Sequence, residues 1–146
     1  SSLAIEANSL SFNQVKDVIN GKLVLGDQKE IQEVKNAYKA YEMMGESNPY
    51  SIKDLLKVHG VMTFLTVEES GVFRKGEEGV FDENGNCIFI APKPEYVESF
   101  MNDLFNWMKE SKDETHPLIL SSIFHYEFVF IHLVMVMAEL LVFGKI

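Results

Sequence analysis

The chain has 146 residues, 47% of them hydrophobic and 24% charged, which suits one domain whose core needs no disulfide or metal to fold. Its formal net charge of −9 repels nucleic acid and anionic membrane surfaces. The single cysteine, Cys87, excludes an internal disulfide and multi-cysteine zinc sites. A lone cysteine suits a reducing compartment, and the first residues show no signal-peptide pattern. We therefore expect a cytoplasmic protein that binds neither nucleic acid nor membrane.

Three helices are predicted in the first half of the chain. Ser11 to Gln14 has the form of a capping box, and Asn20-Gly21 ends the helix that follows it. The segment from Gln28 to Gly45 has apolar residues at helical spacing, and Ser51 is expected to cap a third helix. The apolar face of the second helix is expected to consist of Ile31, Val34, Ala37, Tyr38, Tyr41 and Met44.

One β-hairpin and two further helices are predicted in the second half. The glycine-rich segment from Val67 to Gly79 predicts a loop. Asn84-Gly85 between two short apolar runs predicts a hairpin over Val80–Ile90. Glu95 to Lys109 predicts an amphipathic helix, and Pro117 opens a last helix that is apolar nearly all round, as expected of a buried central helix. The amphipathic helix is expected to turn Val97, Phe100, Met101, Leu104, Phe105 and Met108 inward.

The apolar run from Phe128 to Phe143 is a candidate membrane anchor. It contains His132 and Glu139 and is shorter than the about 20 residues that a spanning helix needs. We therefore expect a buried element here and not an anchor. The whole pattern predicts one mainly helical domain over 1–146 with a single small hairpin.

The start of the chain resembles a motif of a known family. Ser1 to Asn8 resembles the inhibitory motif Ser/Thr-x-x-x-Glu-Gly/Asn of the Fic (Fido) family, with Ser2 and Glu6 at its fixed positions. Ala7 departs from the motif, which has Gly or Asn there. In the family this glutamate reaches an arginine of the active-site loop and blocks the productive pose of ATP. The resemblance implies an inhibitory position for Glu6, and an ordinary first-turn carboxylate is the alternative.

Three further stretches extend this resemblance as far as His132. Ser70 to Arg74 resembles the Gly-x-Phe/Tyr-Arg turn of the family, whose Phe73 and Arg74 are expected to close a structural turn, with a substrate contact as the alternative. The hairpin and Ala91–Glu95 resemble the flap, which pairs with an extended target segment, and the entry to the next helix. The last helix resembles the one that leads into the active-site loop. The resemblance implies a mainly α, Fic-fold helical bundle around a buried central helix, with a target-binding flap that includes Asn86, Cys87, Ile88, Phe89 and Ile90.

The defining loop of the family is absent after His132. It should read His-Pro-Phe-x-Asp/Glu-Gly-Asn-Gly-Arg, whereas this chain continues Leu133-Val134-Met135-Val136-Met137. By resemblance, His132 is a vestigial general base that would take a proton from a target hydroxyl during AMP transfer; an ordinary helix histidine is the alternative. The acidic residue for Mg²⁺, the glycine nest and the arginines have no counterparts. ATP and Mg²⁺ are therefore expected only for an intact relative, and this chain is expected to be inactive.

The atypical tail, residues 133–146, can be explained by a shift of the reading frame. Because methionine has the single codon ATG, a frame that begins at each third base reads glycine across Met135/Val136 and again across Met137/Ala138. The surrounding codons allow the sequence Asp-Gly-Asn-Gly-Arg. Since the tail has neither Pro nor Gly between Leu133 and Phe143, the central helix is expected to continue to Phe143. Exposed apolar side chains on such a tail would favour self-association. A homo-oligomer of this chain is therefore one of the expected partnerships.

Two functions of different class follow from these observations. The first is an AMP-transferring enzyme by descent that is inactive as written. The second is a non-enzymatic binding module that uses the flap to hold a target protein. Cys87 is expected to be structural and not nucleophilic, because no cationic residue lies near it in the sequence. His59 and His125 are expected to be core or helix-face residues, and no metal site is predicted.

Overall fold

The computed structural model describes residues 8–132, with side chains as far as Phe128. The described part of the chain forms five helices and one two-stranded sheet, which confirms the prediction of a mainly α fold with one small hairpin. In chain order the elements are α1 (Phe12–Ile19), α2 (Gln28–Met44), α3 (Ile52–Met62), β1 (Gly79–Phe81), β2 (Cys87–Ile90), α4 (Pro94–Ser111) and α5 (Pro117–His132).

The chain divides into two compact units. One consists of the described part of Ser1–Ser47 together with Lys53–Val72, and the other of Asn48–Ile52 with the described part of Phe73–Ile146. The first unit holds α1, α2 and nearly all of α3. The second holds the hairpin, α4 and α5. A single domain over 1–146 stays a prediction.

Side-chain caps start the first two helices, at Ser11, where the sequence predicts one, and at Asp27, where no cap is predicted. The Ser11 hydroxyl accepts from the Gln14 N–H at 3.2 Å, and the Gln14 side chain accepts from the Ser11 N–H at 2.9 Å. Asp27 caps α2 by accepting from the first backbone N–H groups of the helix. Such caps satisfy donors that have no partner within the helix. The two helices then share a core of Val18, Ile31 and Val34, flanked by the partly buried Leu10, Val15 and Val24.

The buried face of α2 differs from the predicted one in its second half. The prediction that Tyr38 and Tyr41 face the core is wrong, because they are 42% and 66% exposed, whereas Asn36 and Ala40 are buried. The Asn36 amide donates to the Phe64 carbonyl at 2.6 Å. This hydrogen bond offsets the cost of desolvating the amide, so Asn36 lies inside while both tyrosines lie at the surface.

Helices α4 and α5 pack against each other through aromatic side chains. Phe105 meets Phe124 edge to face with ring centroids 5.4 Å apart, and Phe124 stacks on Phe128 at 5.8 Å. Buried aromatic pairs of this kind dominate the energetics of a small core. The prediction that Phe100 points inward is wrong, since it is 39% exposed and stacks on Tyr96. The buried stripe of α4 leaves it outside, because that stripe consists of Val97, Met101, Leu104, Phe105 and Met108.

Helix α5 has an apolar buried face and also exposes several apolar side chains. Leu120, Phe124 and Phe128 are buried at a four-residue spacing, which places them on one side of the helix. The exposed side carries Leu118, Ile119, Ile123 and Tyr126. The predicted continuation of this helix to Phe143 lies outside the described residues.

Candidate functional site

The candidate site is the hairpin Gly79–Ile90, called the flap, with the segment that leads into it. Gly79 pairs with Ile90, Val80 with Phe89, and Phe81 with Cys87, and the register shifts between Val80 and Phe81. Such a bulge increases the local twist of the strands. Gly85 adopts a φ of 81° in the connecting turn, a conformation that glycine takes without strain.

The flap tip, residues 82–86, is organised by one carboxylate. The Asp82 side chain accepts from the Asn84 and Asn86 N–H groups at 2.9 and 2.8 Å, and from the Asn86 amide at 3.0 Å. The Asp82 N–H donates to the Asn86 carbonyl, which closes the turn. These bonds favour the charged carboxylate, so the Asn86 side chain first, and then its backbone N–H, hold the pKa of Asp82 below its ordinary value.

The flap base is organised by one buried cation. We define it as the Arg74 guanidinium, the carbonyls of Gly76 and Pro92, and the backbone hydrogen bond from Ala91 N–H to Glu78 O. Arg74 is 4% exposed. Its Nη1 donates to the Gly76 carbonyl at 2.8 Å, and its Nη2 donates to the Pro92 carbonyl at 2.5 Å. One side chain therefore bonds to the backbone on both sides of the hairpin.

The outer edge of β2 faces away from β1. Ala91 N–H donates to Glu78 O at 2.9 Å, and hydrogen bonding alternates along an antiparallel pair. The N–H of Ile90, one residue earlier, therefore points away from β1. In the part of the chain that the structure describes, the sheet has only these two strands. Ile88 and Ile90 are each 67% exposed along this edge.

In the turn before Arg74, the backbones of two glycines approach each other closely. Gly71 has a φ of 72°, and a Cβ on it would lie 3.2 Å from the Gly60 Cα. The Gly71 N–H donates to Nδ1 of His59 at 3.0 Å. His59 is buried, so its imidazole serves as a hydrogen-bond acceptor inside the first unit. This matches the expectation of a core histidine.

Hydroxyl groups complete that turn. Ser70 Oγ donates to the Gly60 carbonyl at 3.0 Å, and Thr63 Oγ1 lies 2.8 Å from Ser70 Oγ and 2.7 Å from the His59 carbonyl. The sequence does not identify His59 and Thr63 as partners of this turn. The one available signal is Gly60, an isolated glycine within a helical pattern, which indicates a close backbone approach.

Other predicted site residues are placed as follows. Phe73 is half-buried in the turn, and Asn86, Cys87, Ile88 and Ile90 are exposed on the flap, with Phe89 half-buried. The Cys87 thiol is free and lies 3.4 Å from the Phe89 carbonyl. His132 is the last residue of α5, and its side chain lies outside the described part. Ser2, Glu6 and the tail 133–146 also lie outside the described residues.

The described residues lack two features that would point to other ligands. Over 8–132, no group of three or more His, Cys, Asp or Glu side chains is arranged to hold a metal ion. None of the helices in the same part of the chain has both the length and the apolar character needed to cross a membrane.

Comparison with known proteins gives matches of sequence and of fold. The Fic/DOC family profile matches residues 49–134. A Fic family protein from Desulfovibrio desulfuricans matches with 39% identity and a TM-score of 0.80, over 97% of this chain and 45% of its own. The comparison with curated proteins gives no match.

Two further solved structures share the fold. A Fic-domain-containing signaling protein from Bacteroides thetaiotaomicron has a TM-score of 0.84 at 21% identity, over 97% of this chain and 57% of its own. Fic-1 from C. elegans has a TM-score of 0.77 at 25% identity, over 96% of this chain and 44% of its own. The chain thus spans about half the length of the structures that it matches.

Proposed function

Because this chain belongs to the Fic/DOC family, we propose that it binds an extended segment of a target protein along the outer edge of β2 and does not itself transfer AMP. The observation that carries the proposal is the β2 edge, which has an outward N–H at Ile90 and no strand beside it among the described residues. A strand edge of this kind pairs with an extended peptide through main-chain hydrogen bonds.

The side chains of the flap support this mode of binding. Ile88 and Ile90 are exposed along β2, and Phe81 is 61% exposed on β1. Apolar side chains next to a free edge lose water when a peptide covers them, which adds to the main-chain hydrogen bonds. Main-chain pairing is tolerant of sequence, so these side chains would supply the selectivity for the target.

The sequence after His132 argues against AMP transfer by this chain. The family's chemistry, transfer of AMP from ATP to a hydroxyl, depends on charge stabilisation around the phosphates. The Asp/Glu-Gly-Asn-Gly-Arg motif does not follow His132, so the family's positions there supply neither the acidic residue that would hold Mg²⁺ nor the arginines that would bind the phosphates of ATP. Loss of a single stabilising donor typically lowers a rate by about 10²–10³, so the joint loss should abolish turnover.

A peptide selection tests the binding half of the proposal. A displayed library of unstructured peptides of about eight residues, within the usual range of strand lengths, is selected against the full chain. Selected peptides should bind the wild type and the Ile90→Val variant alike. Ile90→Pro removes the outward N–H while leaving the bonds to β1, and proline is tolerated at an edge. Its affinity should fall by about 5- to 100-fold, since one main-chain bond to a buried acceptor is lost.

Absence of any selected peptide, or equal binding by the proline variant, would contradict the β2 edge as the binding site. The valine variant controls for the loss of the isoleucine side chain. Hydrogen exchange at Ala91, whose N–H bonds to Glu78, verifies that the proline variant keeps its hairpin.

A label-transfer assay tests the other half of the proposal, namely that the chain does not transfer AMP. The chain is incubated with Mg²⁺ and ATP labelled at the α-phosphate in a total protein extract, and no labelled protein is expected. Glu6→Gly should also give no label, because the loop arginine that this glutamate would contact is missing from the sequence. Transfer that disappears in His132→Ala would show that the chain is an active enzyme.

We also propose a cellular compartment and an oligomeric state for this chain. A free, exposed cysteine on the flap suits the reducing cytosol that the sequence predicts. Self-association is a further expectation, since α5 exposes the apolar side chains of Leu118, Ile119, Ile123 and Tyr126. Sedimentation of the purified chain over a range of concentrations measures it.

A further inference from the structure

We propose that Arg74 is the positioning residue of the flap: its guanidinium holds the two ends of the hairpin together and so presents the β2 edge in one orientation. Gly76 precedes β1 by three positions and Pro92 follows β2 by two. Both carbonyls accept from the same guanidinium. The consequence for target binding rests on the proposed function, whereas the consequence for flap rigidity does not.

The flap needs such support because its strands are short. β1 has 3 residues and β2 has 4, and an isolated two-stranded hairpin is marginally stable at best in water. Most of its apolar side chains are exposed, Phe81, Ile88 and Ile90 among them. Side-chain burial therefore contributes little to holding the strands together, and the hydrogen bonds at the base contribute more.

Arginine suits this task by its shape and charge. The planar fork presents several N–H donors in fixed directions, so one side chain can bond to two carbonyls that come from separate parts of the chain. Lysine has a single compact ammonium on a flexible stem. Arg74 is the only arginine in the sequence, and it is buried at 4% exposure. A buried charge is retained only where hydrogen bonds compensate its desolvation, and the two carbonyls supply such bonds.

The expected consequence of losing this fork is local. The Gly76 and Pro92 carbonyls would lose charge-assisted bonds, and the hairpin would open from its base. Helix α1 belongs to the other unit, and its capping box and apolar core do not involve Arg74. An open flap must be ordered before it can pair with a peptide, and this lowers the affinity for the peptide.

Hydrogen exchange measured by mass spectrometry on the full chain tests the proposal. In Arg74→Gln, peptides that cover Gly79–Ile90 should exchange about tenfold faster or more, while peptides from α1 keep their wild-type rates. Arg74→Lys keeps the charge but not the fork, so its flap should exchange at an intermediate rate. Lys75→Gln is the matched control, because it removes the same charge from the exposed neighbouring residue, and its flap should exchange as the wild type does.

Two results would overturn the proposal. The first is wild-type exchange in the flap of both Arg74 variants. The second is an equal acceleration in the flap and in α1, in both variants, which would make Arg74 a general stabiliser. Affinity for the selected peptides separates this inference from the proposed function. If the flap loosens in Arg74→Gln but no peptide binds even the wild type, then the proposed function fails and the positioning role stands.

Discussion

The two ends of the flap are held by groups of opposite charge in opposite surroundings. At the tip, the Asp82 carboxylate accepts three hydrogen bonds from Asn84 and Asn86, both exposed. At the base, the buried Arg74 guanidinium donates to two backbone carbonyls. Water reaches the exposed tip freely but hardly reaches the buried guanidinium of Arg74, so loss of the bonds at the base carries the larger penalty. We therefore expect the base of the flap to open rarely and its tip to open more often.

The strongest effect is expected in the turn that leads into the base. Gly71→Ala forces a Cβ into a backbone with φ of 72° and to 3.2 Å from the Gly60 Cα. The left-handed conformation alone costs about 1–2 kcal/mol, and the contact with backbone adds to it. We expect the midpoint of urea unfolding to fall markedly. Gly76→Ala is the control, because a Cβ there meets nothing within 4 Å, and a midpoint that falls equally in both variants would contradict the role given to Gly71.

The next effect concerns the buried cation itself. Arg74→Met keeps much of the apolar stem but leaves the Gly76 and Pro92 carbonyls without these bonds. A hydrogen bond to a charged group typically contributes about 1.5–3 kcal/mol to stability. We expect a loss of unfolding free energy in that range by urea titration. An unchanged stability would show that the base is as replaceable as the tip and would remove the contrast between them.

A smaller effect is expected at the tip. Asp82→Ala removes the acceptor for the Asn84 and Asn86 N–H groups, which are then free to bond to water. We expect faster exchange of those two amides with no change at Ala91 in the base. Glu83→Ala serves as the control on the adjacent exposed carboxylate. Faster exchange at Ala91 in the Asp82 variant would mean that the tip also governs the base.

The weakest expected effect is a pH dependence of the hydrogen-exchange protection at the tip. The pKa of Asp82 is lower in the folded chain than its ordinary value of 3.8, so the unfolded chain binds this proton more readily. The stabilisation is fully present above pH 3.8 and is lost as the pH falls through the lowered value. Tip amides, corrected for intrinsic exchange, should therefore lose protection in this acid range in the wild type and show no such transition in Asp82→Ala.

Local patterns in the sequence predict much of the fold. The capping box at Ser11 and Gln14, the Asn84-Gly85 turn and, apart from Phe100, the buried stripe of α4 are set by neighbours along the chain, and the structure has all three. The tip of the flap also belongs to this class, because Asp82 bonds only within its own turn.

Contacts between distant positions could not be predicted in this way. The bond from Asn36 to the Phe64 carbonyl turns α2 away from its apolar pattern, and the bond from Gly71 to His59 spans 12 positions. Likewise, the Gly-x-Phe-Arg motif predicts a turn at Arg74, but no pattern indicates that its second acceptor is the Pro92 carbonyl. Periodicity reports which residues are apolar, whereas these bonds depend on which backbone carbonyls the fold brings near.

Binding of an extended polypeptide segment at the outer edge of β2 can be measured at a single amide. The most direct experiment is residue-resolved hydrogen exchange of the Ile90 amide with and without a saturating selected peptide. We predict that this amide, which points away from β1, becomes strongly protected in the complex, while the Ala91 amide, already bonded to Glu78, changes little. A peptide that binds tightly and leaves the Ile90 amide exchanging at its free rate would contradict binding at this edge.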